Sequence, residues 1–139
     1  MTQEQAMTRT ASRLPKSLLL LSAAYCLASF VHFFHNAEFL ADYPNMPAWV
    51  MRWQVYVIWL GITSIGVAGL LVARSRYPAA GLVLVAAYAA FGFDGLAHYS
   101  LAPMSSHTWA MNLTIWAEVA AAALLLLVAL RYLLLPAAK

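Results

Sequence analysis

The sequence predicts an all-α integral membrane protein: a four-transmembrane-helix bundle with both termini cytoplasmic. Of its 139 residues, 64% are hydrophobic and 9% are charged. A soluble domain carries roughly 25% charged residues to stay solvated. Mean hydropathy is +0.75. Proline-bearing or basic breaks cut the apolar sequence into four stretches, each about the 20 residues a bilayer-crossing helix needs. The expected organisation is a basic N-terminal tail over residues 1–15 and one membrane domain over 16–139, with no room for a separate soluble module.

Arg9, Arg13 and Lys16 precede an apolar run over 17–30, as in a signal peptide. No small-x-small cleavage site follows and the run continues unbroken, which predicts a retained helix. Span one covers about 16–43. It ends at Tyr43-Pro44-Asn45-Met46-Pro47, because proline lacks an amide donor and disfavours helix in its predecessor. Span two covers about 48–73, and its Gly61, Ser64, Gly66, Ala68 and Gly69 suit close helix contact. Arg74, Arg76 and Pro78 make a basic turn into span three, about 79–101. Ala102-Pro103-Met104 breaks that span, and Ser105 or Ser106 is the expected N-cap of span four, about 107–135.

Arg9, Arg13, Lys16, Arg74, Arg76, Arg131 and Lys139 fall on one side of this layout and only Arg52 on the other. The positive-inside rule then makes the termini cytoplasmic, in a bacterial-type inner membrane. Tyr43, Trp49, Trp53, Tyr56, Tyr99 and Trp109 form an outer aromatic belt, with Tyr77 and Tyr132 at the inner face. The flanking cations account for the basic pI, and nothing suggests a nucleic-acid partner. The lone Cys26 reads as a small buried packing residue. The expected partners are the lipid bilayer and a homo-oligomer or larger membrane complex.

The polar residues sort by leaflet. All four histidines, His32, His35, His98 and His107, fall in the outer half. Glu38, Asp42, Asp94 and Glu118 fall there too. Each costs several kcal/mol in hydrocarbon unless paired or coordinated. Helical spacing stacks His32, His35 and Asn36 on one face, Asp94 beneath His98, and His107, Met111, Thr114 and Glu118 along one stripe. At about 1.5 Å per residue, His35, Asp94 and Glu118 reach a common depth, with Glu38, His98 and His107 in a shallower layer.

Imidazole and carboxylate on facing helices are how bundles hold transition metals. The expected ligands are His35, Asp94, His98, Glu118, His32 and His107, binding a divalent transition metal. Met46, Met51, Met104 and Met111 tilt the choice toward copper over iron or zinc. Glu38 or His32 would act as general base. The expected function is that of a small membrane metalloprotein doing redox or hydrolytic chemistry on a small or lipid-soluble substrate. The alternatives are a metal carrier or assembly protein, a proton relay, a haem protein, an accessory subunit, or a structural polar network. Asp42 and Arg52 read as a solvated surface pair. In ligand chemistry alone, Asp94-x-x-x-His98 followed by His107 resembles the copper-ligand arrangement in the C subunit of particulate methane and ammonia monooxygenases. The interval to His107 is shorter here and nothing else aligns.

Overall fold

The computed structural model describes residues 14–135. Of the tail expected over 1–15, all but Leu14 and Pro15 therefore lies outside the described residues. The architecture is all-α, with four segments long and apolar enough to cross a membrane. Span one is α1 (Lys16–Glu38) and span two is α2 (Arg52–Ala73). Span three comprises α3 (Pro78–Ala90), a 3-10 stretch over Phe91–Ala97, and the short α4 (His98–Leu101). Span four is α5 (Trp109–Leu134). Ser17 meets Tyr132 at one end of the bundle while His32 meets Thr114 nearer the other, so α1 and α5 are antiparallel. The succession is up-and-down, leaving one end for the termini and the other for the long loops.

Helices α1 and α5 meet along complementary seams. Leu18, Ser22, Tyr25, Ser29, His32 and Asn36 are buried on α1, at alternating steps of four and three. Met111, Ile115, Glu118, Ala122, Leu125 and Ala129 repeat that alternation on α5. This spacing is the heptad that keeps two helices in register. Its content is inverted relative to a soluble coil. Serine, imidazole, amide and carboxylate groups face inward, while Leu20, Leu27, Val57, Leu60 and Leu127 face outward. Lipid accepts the leucines, whereas the polar groups find partners only inside the bundle.

Toward the terminal end, α2 and α3 approach backbone to backbone. Gly81 lies against the Ala73 backbone, Gly69 against Val85 and Gly66 against Tyr88. At Phe91 the third span tightens into the 3-10 form and leans onto α5, setting Gly92 on Ala122 and Gly95 beside Glu118. A cavity of about 360 Å³ separates this stretch from Val55 and Ile58 of α2.

Several local expectations need correction. Helix α1 stops at Glu38 rather than near Tyr43, and Leu40–Asp42 form a separate 3-10 turn that carries Tyr43 back over the bundle. Helix α2 begins at Arg52, where Gln54 Oε1 accepts the Met51 amide at 2.7 Å. The N-cap of α5 is Thr108, whose Oγ1 accepts the Met111 amide at 3.3 Å; Ser105 and Ser106 belong to a preceding 3-10 turn. Arg52 pairs with Glu38, at 2.7 Å, instead of Asp42.

A methyl group at Gly81 would strike the Ala73 backbone, which has nowhere to yield. Gly81→Ala is therefore expected to cost about 1–3 kcal/mol by overpacking. Gly61→Ala meets nothing within 4 Å and should be neutral or gain up to about 1 kcal/mol from helix propensity. Unfolding by denaturing detergent in mixed micelles measures both; equal effects would refute the close α2–α3 approach.

Candidate functional site

The seam and the 3-10 stretch together place His32, Asn36, His98, Thr114 and Glu118 in one buried group near the loop end. The Thr114 hydroxyl donates to the Met111 carbonyl at 3.0 Å. Its oxygen is then free to accept from His32 Nδ1, at 3.3 Å. That tautomer leaves a lone pair on His32 Nε2. Asn36 Nδ2 lies 3.2 Å from this nitrogen and 3.0 Å from His98 Nε2, so one amide bridges two imidazoles by donating to both.

Beyond this bridge, donors run out. Glu118 is 1% exposed, His32 2% and Asn36 8%. Among the described residues, neither carboxylate oxygen of Glu118 has a hydrogen-bond partner, nor does Asn36 Oδ1. Glu118 Oε2 lies 3.6 Å from His32 Nε2, beyond a good direct hydrogen bond. His107 Nδ1 donates to the Pro103 carbonyl at 3.1 Å, which leaves its buried Nε2 a lone pair without a partner. Acceptors accumulate here without the positive charge or donors that would offset their desolvation.

The predicted site residues separate into two groups. His32, His98 and Glu118 come together, and the His107 ring stands 6.2 Å from that of His98. His35, Glu38 and Asp94 do not join them. His35 lies off the buried seam, with Nδ1 2.9 Å from the Tyr43 hydroxyl. The Glu38 carboxylate is taken up by Arg52 at 2.7 Å and by the Tyr56 hydroxyl at 2.6 Å. Asp94 is exposed on the wall of the cavity. The expected stacking of Asp94 on His98 fails because the intervening residues are 3-10. At about three residues per turn, positions four apart diverge by about a third of a turn. On α1 the imidazole that faces Glu118 is His32 rather than His35, at 3.6 Å, while Gly95, next to Asp94, lies beside the same carboxylate. Among the described residues, no three His, Cys, Asp or Glu side chains stand close enough to enclose a metal ion as they are placed.

Tyr43, read from sequence as a belt residue, covers the site at 3% exposure, its ring centroid 4.8 Å from that of His98. Asn36, stacked from sequence on the face of His32 and His35, sits at the centre, between the His32 and His98 rings. Gly95 is a position the sequence did not mark. A Cβ there would lie 3.4 Å from Glu118 Oε2 and 3.6 Å from His32 Nε2. In the terminal half the Tyr25 and Tyr88 rings pack with centroids 4.5 Å apart, tilted by 52°.

The cavity opens beside the polar group. Its apolar wall includes Phe33, Leu40, Trp49, Val55, Ile58 and Leu101, and its polar wall His32, Asn36, Asp94 and His98. Compared with protein families, curated proteins and solved structures, the chain gives no match.

Burial pushes the Tyr43 hydroxyl up to about 12, above the ordinary tyrosine value of about 10. Its folded value is raised, so its share of stability is complete below about pH 10 and is lost as pH climbs through about 12. In a spectrophotometric titration, the tyrosinate absorbance present in the wild type and missing in Tyr43→Phe should appear about two pH units above that of free tyrosine. An ordinary midpoint would mean that the loop leaves Tyr43 open to solvent.

Proposed function

We propose that the chain is a small multi-pass metalloprotein of a bacterial-type inner membrane. A divalent transition metal binds between His32, His98 and Glu118 and serves redox or hydrolytic chemistry on a small or lipid-soluble substrate. The observation that carries this reading is the group of buried acceptors without donors. His32 Nε2 and Glu118 Oε2 face one another at 3.6 Å, and two ligand atoms about 2.1 Å from one tetrahedral ion lie about 3.4 Å apart. His98 Nε2 completes the set when the Asn36 amide between the two imidazoles swings aside; in the resting arrangement that amide occupies the middle. Two nitrogens and one oxygen suit copper, iron or zinc, and Met46 on the cavity wall leans the choice toward copper. With Glu38 held by Arg52, Asp94 is the carboxylate free to face a substrate in the cavity.

Elemental analysis of the full chain purified in detergent tests the reading. Near-stoichiometric copper, iron or zinc is expected in the wild type and in Asp42→Ala, and its loss in His32→Ala, His98→Ala and Glu118→Gln. If the group is only a structural network, the wild type carries no metal. Glu118→Met should then be neutral or stabilising by about 1–3 kcal/mol, since it removes buried acceptors that nothing satisfies. A Soret band would overturn the proposal in favour of haem.

A further inference from the structure

We infer that the cavity beside the polar group binds an uncharged, lipid-soluble molecule headed by a hydroxyl, an alcohol or phenol, with Asp94 as the acceptor that holds the head. This deepens the metal reading and rests on it for the charge of the head group. The volume, about 360 Å³, lies in the range of small-molecule sites, which are mostly apolar with a few converging polar groups. Phe33, Val55 and Ile58 form apolar wall between α1 and α2, where a molecule dissolved in the bilayer has its entry.

The polar wall determines the head. His32 Nε2 and His98 Nε2 accept from Asn36 in the resting arrangement and would hold the metal once that amide swings aside, so neither offers a proton to a ligand. Asn36 Oδ1 is buried, without a partner among the described residues, while the exposed Asp94 lines the cavity itself. A ligand there has to donate. A carbonyl, ether or carboxylate would set acceptor against acceptor, at the cost of an unmade hydrogen bond. The wall contains no lysine or arginine, while Arg52 is engaged by Glu38. Glu118 and Asp94 together balance one divalent ion, so the donating head carries no charge of its own.

Trp49 lines the cavity and reports on its occupancy. The full chain in lipid nanodiscs is titrated with a terminally brominated long-chain alcohol, its methyl ether and the matching ammonium, each of which quenches indole fluorescence on contact. The readout is the saturable quenching that disappears in Trp49→Phe. The alcohol should bind about tenfold more tightly than the ether, the advantage of one hydrogen bond to a charged acceptor. Asp94→Val should bring the alcohol down to the ether. Equal affinity for all three probes in the wild type would reduce the cavity to an unselective groove and overturn the inference, as would preference for the ammonium. The head-group series needs no variant, so it decides even where Asp94→Val fails to fold. Metal content is read on the same samples. Absent metal with alcohol preference intact sinks the metal reading alone; present metal without that preference sinks this one alone.

Discussion

Within a bilayer no bulk water reaches the two carboxylate oxygens of Glu118, so their partners have to come from the bundle or from something the bundle binds. Among the described residues the bundle provides none. The neighbouring imidazole is turned with its lone pair inward, because Thr114 occupies its other nitrogen and is itself committed to the Met111 carbonyl. Asn36 spends its amide protons on two imidazoles and leaves its oxygen bare. Each local bond is reasonable, yet together they leave a surplus of acceptors. A proton neutralises one such atom. A divalent cation would satisfy several at once, which is the physical motive for the proposed metal.

The same surplus follows from how α1 and α5 pair. A heptad seam in water is apolar because leucines drive it together. In lipid that force vanishes, and small residues and polar contacts hold helices instead. The α1 seam is mostly small or polar from Ser22 onward, and its loop-end positions, His32 and Asn36, carry the imidazole and amide that meet the polar groups of the neighbouring spans. Nearer the terminal end, Ser22 and Ser29 donate within their own helix to the carbonyls of Leu18 and Cys26, and the Ser29 hydroxyl also accepts from the Trp59 indole of α2. The seam is thus structural along most of its length and chemically open at one end.

The fold was legible in the sequence because hydrocarbon imposes one requirement that composition reports directly: long apolar runs with breaks between them. The site was legible only in part. His32, His98 and Glu118 were marked, but His35 was given the place that His32 holds. The phase of the whole helix separates the two, since Ser22, Tyr25 and Ser29 align with His32 and Asn36, while Phe34 and Leu27 mark the lipid side. A window of three polar residues could not make that distinction. Asp94 was misplaced for another reason. Its spacing from His98 has meaning only in an α-helix, and Gly92 and Gly95 were the warning that the span changes form there. Tyr43 was unreadable as a site residue, because its burial depends on where α1 stops.

That change of form ties the cavity to the polar group. Gly66, Gly69 and Gly81 draw α2 and α3 together at the terminal end, and a straight third span would keep its loop end close to α2. The 3-10 stretch instead carries it onto α5, where Gly92 clears Ala122 and Gly95 clears Glu118. Space opens on the side it leaves, against Val55 and Ile58. A side chain at Gly95 would stand between that space and the His32–Glu118 pair. With hydrogen there, nothing larger than backbone separates the buried acceptors from the cavity wall. One glycine-bearing deviation from α geometry therefore exposes Asp94 to the cavity, brings His98 to Asn36, and sets the cavity one glycine backbone away from the buried Glu118 carboxylate.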